Sequence, residues 1–490
     1  SGLGLEMAKI YGGQNNRLIL IGRKPLENLP DDIFVEENYC QADLSSPDAH
    51  LTIDRWLTEN QISTVDLLIH NAGIGWYGEP QDQSPAEVEK LIQVNLKAPI
   101  ALTHILFDRL VEAVGKVVFV SSVVSQLPTK DFAVYTASKA ALDGFARSLA
   151  VEAAGRFGVQ VLHPGATRTD MHAKIGMEQA TYEKFKSAES VAAEMVQAIE
   201  RGKRNIAIGF GNKVLRTASM ALPRLIERLS RKAPKLKVKP NDHIVVTGGA
   251  DGIGGAIVQK YAERGENVTI LDIDRSRSEA ITQKSGERVS FLLVDMSEIE
   301  SLQAAVDVLG QHRKVTTLVN NAGISAAGRF EDLDLDDMLK VIDINLTGAI
   351  VLTNLLLKKN LLDEGYTAVF VSSLSKYVGY PGAAVYSASK DGLASYASSL
   401  QVAGVLRGQS LTVFPGPTRT AHARRYSPDN SREDKRMLPE AVADEVYAAV
   451  RSGKRLLFPG GSAKMFAFFG RMAPRLAERA MKGTIYDKLA

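Results

Sequence analysis

The chain repeats itself at a nearly fixed interval, and this constrains its fold more than any single motif. Ser1-Gly-Leu-Gly4 recurs as Asp251-Gly-Ile-Gly254, Asn71-Ala-Gly73 as Asn321-Ala-Gly323, and Asn95-Leu96 as Asn345-Leu346, each 250 residues on. Tyr135-Thr-Ala-Ser-Lys139 recurs as Tyr386-Ser-Ala-Ser-Lys390 and Pro164-Gly165 as Pro415-Gly416, now 251 residues on. A solenoid repeats every few tens of residues, so a period this long means duplicated domains. Two domains also suit a chain of 490 residues. Residues 230–242 are basic, proline-bearing and without apolar periodicity, and read as a solvated linker. The expected division is 1–229, a linker at 230–242, and 243–490.

Within each half, short β-branched runs alternate with helical patterns. In the second half, strands are predicted at His243–Thr247, Asn267–Asp272, Val289–Val294, Thr317–Val319, Thr367–Ser372 and Ser410–Phe414. Ile253–Arg264 and Leu335–Leu357 carry apolar residues at helical spacing. This alternation predicts an α/β chain of two tandem Rossmann-like, doubly wound parallel-sheet domains, with ligands outside the carboxyl ends of the strands. The strand at His243–Thr247 has no counterpart in the first half, where the sequence opens inside the matching glycine turn. A short segment is therefore expected ahead of Ser1.

Thr247-Gly248-Gly-Ala-Asp251-Gly252-Ile-Gly254 follows a strand and opens a helix. Glycines there let the backbone approach a pyrophosphate, and the helix N-terminus favours its charge. Ser1, Gly2 and Gly4 are the tail of the same turn in the first half. Asp272 ends the next strand, where a carboxylate binds ribose hydroxyls and repels a 2′-phosphate. Asp251 adds repulsion, so NAD(H) is expected in the second domain. The first domain has Gly22-Arg23-Lys24 at that place. Without the carboxylate, Arg23 can pair with a 2′-phosphate, and NADP(H) is expected there. Asp43 and Asp295 follow the next strands, where adenine contact and a turn or cap role both fit.

Tyr135 and Lys139, and Tyr386 and Lys390, are one helical turn apart and share a face. An ammonium beside a phenol favours the phenolate, so a lowered tyrosine pKa is expected. Ser122 and Ser373 each precede their tyrosine by 13 residues and end an apolar strand. A hydroxyl placed there can polarise a substrate oxygen.

Together these features resemble the short-chain dehydrogenase/reductase family over almost the whole chain, twice. The matching pieces are the glycine turn, Asn-Ala-Gly, the helix asparagine, the strand serine, Tyr-x-x-x-Lys and Pro-Gly-x-x-x-Thr. The resemblance implies that Tyr135 and Tyr386 are the acid/base groups and that Ser122 and Ser373 polarise the substrate oxygen. It implies that Lys139 and Lys390 bind the nicotinamide ribose, and that Asn95 and Asn345 hold a relay water. Thr169 and Thr420 would touch the carboxamide, while Asn71 and Asn321 support the cofactor strand. The implied reaction moves hydride between nicotinamide and a carbonyl or secondary alcohol. His70 departs from the family's Asn-Asn-Ala-Gly, a change expected to alter packing more than chemistry.

A net charge of +3 gives no case for nucleic acid, and the single cysteine, Cys40, excludes an internal disulfide and reads as packed core. No clustered metal-ligand set, apolar run of membrane-spanning length or signal pattern is seen, and a cytoplasmic protein is expected. The segments Met171–Ser187 and Ala421–Leu438 are expected to cover the sites, the second with a run of cations open to an anionic substrate or to solvent. The basic, amphipathic tails Val214–Lys232 and Lys464–Lys482 fit peripheral lipid contact, a hydrophobic substrate or packing against protein. Family members commonly pair, so intrachain pairing of the halves or a homodimer is expected. The alternative to two active domains is one enzyme with the other half as a pairing surface.

Overall fold

The computed structural model describes residues 2–29, 32–176, 178, 181, 183–209, 242–403 and 408–489. Ser1, the Val214–Lys232 tail and the expected linker, apart from Asp242, lie outside the described residues.

The first half carries β1 (Leu20–Gly22), β2 (Tyr39–Gln41), β3 (Leu67–His70), β4 (Lys116–Val120), β5 (Gly158–His163), a short pair β6 (Thr167–Arg168) and β7 (Lys186–Ser187), and β8 (Asn205–Ala207). The second carries β9 (His243–Thr247), β10 (Asn267–Asp272), β11 (Val289–Leu293), β12 (Val315–Asn320), β13 (Leu362–Val371), β14 (Gln409–Val413) and β15 (Leu456–Leu457). The short edge strands β8 and β15 were not anticipated.

The second half forms one parallel sheet in the order β11-β10-β9-β12-β13-β14-β15. Its central strand, His-Ile-Val-Val-Thr, is buried throughout, because helices cover both faces and leave no solvent side for polar residues. All neighbouring strands point one way, so Thr247, Asp272, Asn320 and Val371 end at the same edge. The residues just beyond them build the site.

In the first half the sheet is in two pieces, β1-β2 and β3-β4-β5-β8. No described strand lies between β1 and β3, where β9 stands in the second half.

The halves pack on one another through their tyrosine helices, Ala133–Glu152 and Ala384–Ala403. Small residues permit the approach. A Cβ on Gly144 would stand 2.7 Å from Asp391, and one on Gly392 would stand 3.1 Å from the Ala137 carbonyl. Two contacts are mirror images: Thr129 N donates to Ser399 Oγ, and Tyr380 N donates to Ser148 Oγ.

Some contacts are one-sided. Phe330 of the second half sits 5.4 Å from Phe145 and 6.1 Å from Phe107 of the first, ring centre to ring centre. Its own counterpart is Pro80. Among the described residues, four ion pairs cross the interface, Lys97–Asp343, Arg147–Asp391, Arg156–Glu331 and Arg204–Glu478. In each the cation belongs to the first half and the anion to the second.

One helical stretch, Leu335–Lys358, is long and apolar enough to cross a membrane, unlike the sequence reading, but it is mostly buried inside the protein.

Candidate active sites

Asn95 and Asn345 each sit where the helix is interrupted by a π-helical turn, at Gln93–Lys97 and Asp343–Gly348. Such turns displace backbone and are frequent at functional sites. Asn95 Oδ1 accepts from Ile74 N at 2.9 Å, and its Nδ2 donates to Ile74 O at 2.9 Å and Ser138 Oγ at 3.1 Å. Asn345 repeats this with Ile324 N at 2.8 Å, Ile324 O at 2.9 Å and Ser389 Oγ at 3.0 Å. Ser138 and Ser389 were missed as site residues. Their signal was their repetition inside both Tyr-x-Ala-Ser-Lys segments.

The lysines converge on the same point. A Cβ on Gly73 would lie 3.3 Å from both Lys139 Nζ and Asn95 Oδ1, and one on Gly323 would lie 3.0 Å from Lys390 Nζ. Each lysine donates to a strand carbonyl at 3.0 Å, Val120 or Val371. Each ammonium is 5.9 Å from the centre of its tyrosine ring. Burial lowers both lysines to about 8.

The tyrosines depart from the sequence expectation. Tyr135 is raised above its ordinary value and Tyr386 to about 12. Desolvation of the phenolate outweighs the hydrogen bonds from Ser122 and Ser373 that oppose it.

The cofactor edge is duplicated as well. Gly2 and Gly252 have φ of +61° and +56°, where a side chain is strained. A Cβ on Gly4 or Gly254 would lie 2.5 Å from Asn71 or Asn321. Thr169 and Thr420 flank Gly2 and Gly252. Asn321 Nδ2 bonds the Thr247 and Gly248 carbonyls, tying the turn to the sheet.

Asp272 accepts from Ala250 N at 2.9 Å and Asp274 N at 3.0 Å, which fixes it beside the glycine turn. Asp251 caps the following helix through Gly252 N and pairs with Arg277 at 2.8 Å, so its charge is partly offset. Asp43 and Asp295 close matching turns onto Ser45 and Ser297. Arg23 is exposed, and its charge reaches Asp43.

His70 keeps the bonding pattern of its counterpart Asn320. Its Nε2 lies 2.9 Å from Thr103 Oγ1, and Asn320 bonds the equivalent Thr353 at 3.3 Å. Burial holds the imidazole neutral, down to about 3. Cys40 is buried and its thiol is pushed up to about 11. Among the described residues, no three His, Cys, Asp or Glu side chains are grouped to hold a metal.

A family model for short chain dehydrogenase matches residues 1–180 and again 242–431. The chain belongs to the short-chain dehydrogenase family. It is an oxidoreductase-family chain in tandem duplicate. It is 35% identical over 224 residues to an uncharacterized short-chain type dehydrogenase/reductase y4vI of Sinorhizobium fredii, covering 44% of this chain and 40% of that protein. It is 31% identical over 165 residues to the 3-oxoacyl-(acyl-carrier-protein) reductase FabG of Chlamydia muridarum, covering 33% of this chain and 66% of that one. The chain thus spans less than two thirds of the length of either relative. A short-chain dehydrogenase/reductase of Burkholderia phymatum, solved in complex with NAD, is similar at 19% identity and a TM-score of 0.44, over 49% of this chain and 96% of that one. One from Sphingobium yanoikuyae, solved with NADPH, has 19% identity and a TM-score of 0.42, over 48% and 95%.

The walls of the two short-chain dehydrogenase sites differ. In the first, Phe132 lies 6.1 Å from Tyr135 and 5.1 Å from Tyr77, and Met171 and Ile175 stand over Gly75. In the second, His422 and Tyr380 each lie 6.1 Å from Tyr386. Sequence reading missed both. Their signal is the contrast with Met171 and Thr129 at the matching positions.

Proposed function

We propose that each half, 1–229 and 243–490, is an NAD(P)-dependent oxidoreductase acting on a carbonyl or secondary alcohol of a small molecule. What carries this reading is the intact duplication of the Asn–Ser–Tyr–Lys cluster, down to the same strand carbonyl for each lysine. A buried ammonium costs stability, so a copy kept only for packing has no use for it.

The residues fit the cofactor. Gly248, Gly252 and Gly254, and Gly2 and Gly4, would cradle the pyrophosphate at a helix N-terminus, and a Cβ on Gly254 would fill that cradle, 2.0 Å from the Gly248 carbonyl. The bound nicotinamide supplies or accepts the hydride. Tyr386, at about 12, keeps its proton near neutrality and can give it to the oxygen of a ketone. Ser373 orients the same oxygen. Lys390 and Asn345 hold the route by which the phenol is reprotonated.

Asp272 favours NAD(H) in the second domain, and Arg23 in place of a carboxylate favours NADP(H) in the first. With different cofactors, one domain can reduce while the other oxidises. The second reading, a first half that serves as a pairing surface, is favoured by the packing of the two tyrosine helices on one another.

Calorimetric titration with NADH and NADPH separates these readings. Two sites are expected, with Asp272→Ala weakening NADH alone by about tenfold. Binding of NADH only would leave the first half a pairing module. Tyr135→Phe and Tyr386→Phe should each remove one cofactor-specific activity; loss of both from either change would overturn the two-site reading.

A further inference from the structure

The helix Gly460–Met472 turns its small residues inward and its large apolar residues outward. Ala463, Ala467 and Gly470 are buried against the second half, and a Cβ on Gly470 would stand 2.3 Å from the Tyr377 carbonyl. Met465, Phe466, Phe468, Phe469 and Met472 are all exposed, Phe468 by 67% and Met472 by 70%. At 3.6 residues per turn these five share one strip opposite the buried face. Leu476, on the next helix Pro474–Thr484, is exposed as well. Single exposed apolar residues are ordinary, whereas a strip with three phenylalanines marks a binding surface.

The charge beside the strip narrows what can cover it. Lys464 and Arg471 are exposed between the strip and the buried face, and Arg475 and Arg479 are exposed on the next helix. No Asp or Glu occurs from Gly460 to Ala477, and Glu478 is taken by Arg204 at 2.7 Å. A two-fold contact between copies would set a rim without acids against an identical rim. Residues 224–239 are strongly basic too, so that segment would bring like charge to the strip. A bilayer of anionic lipid meets both features, with apolar depth for the strip and negative headgroups for the rim. The helix has 13 residues, about 20 Å, whereas a span needs about 20 residues. It can lie in a membrane surface but cannot cross one.

We propose that Gly460–Met472 is an interfacial anchor that seats the protein on membranes rich in anionic lipid. Phe468, Phe469 and Met472 enter the acyl boundary, while Lys464, Arg471 and Arg475 meet the headgroup phosphates. The inner side of the helix packs on Ser375–Val378, the helical turn that follows Ser373. The anchor therefore holds the second site close to the bilayer.

The test is flotation of the full chain with vesicles of phosphatidylcholine, alone or mixed equally with phosphatidylglycerol. Binding to the mixed vesicles is expected to be about tenfold or more tighter, and to fall as salt rises. Phe468→Ser with Phe469→Ser should weaken it by about tenfold or more. Lys464→Gln with Arg475→Gln should reduce the preference for phosphatidylglycerol. These residues are exposed, so an unchanged melting temperature reports that each variant is folded. Phe468→Trp should show blue-shifted emission on mixed vesicles. No binding to either vesicle, binding that survives loss of both phenylalanines, or an unshifted tryptophan would overturn the proposal. Equal binding to the two kinds of vesicle would refute the role of the cations. Self-association without lipid in sedimentation velocity, lost in the double serine variant, would give the strip to a second copy and overturn the anchor.

Discussion

Arg147 of the first half donates to the Asp391 carboxylate of the second, across the seam between the tyrosine helices. The mirror positions hold Ser398 and Ala140, so the pair has no twin. With Lys97–Asp343, Arg156–Glu331 and Arg204–Glu478 it gives the seam a polarity. In a pair of first halves Arg147 would face Ala140, Lys97 would face Gln93 and Arg156 would face Gln81, so these cations would lose their carboxylates. A double-mutant cycle on Arg147→Ala and Asp391→Ala should give a coupling of about 1–3 kcal/mol in denaturant unfolding. Additivity of the two changes would show that the pair does not hold the seam.

Glu152 lies in the same seam, where Gly382 N donates to it at 2.8 Å. Burial is the main reason its carboxyl is raised from 4.5 to about 8. The folded state therefore binds the proton more tightly than the unfolded chain. Stability from this group is complete at low pH and is lost as pH rises toward about 8. Glu152→Gln should flatten that loss and stabilise the protein by on the order of 1–3 kcal/mol at pH ~8. An unchanged pH dependence of the midpoint would contradict it.

Lys390 is held at about 8 by burial, so near neutrality it is a charged group in a dry site. Replacing a buried charge by an apolar side chain of similar size is often neutral or stabilising. Lys390→Met should leave the melting temperature equal or higher while removing most NADH-linked activity. A marked loss of stability would mean that the Val371 hydrogen bond outweighs desolvation.

A Cβ on Gly254 would meet the Gly248 carbonyl at 2.0 Å, fixed backbone, and the Asn321 amide nitrogen at 2.5 Å. Gly254→Ala should therefore weaken cofactor binding in the second domain by about tenfold or more in calorimetry. An unchanged affinity would show that the turn relaxes around the added carbon.

Much of each site was legible because its parts are tied to local structure. Tyr386 and Lys390 share one helix face whatever surrounds them, and Ser373 and Asp272 follow strands whose apolar runs announce them. Even His70 was legible as a substitution within a motif, although Thr103 as its partner was not. The raised tyrosine pKa was misjudged because spacing shows the lysine but not the loss of solvent.

The sequence by itself determined two doubly wound halves and the order of the reacting residues along each, since period and local spacing need only neighbours in the chain. Only the tertiary structure decided that Phe330 packs on Phe107 and Phe145, that Arg147 finds Asp391, and that Arg156 meets Glu331. These contacts join segments far apart in the chain. Their geometry depends on how whole helices and loops pack, which no local spacing encodes.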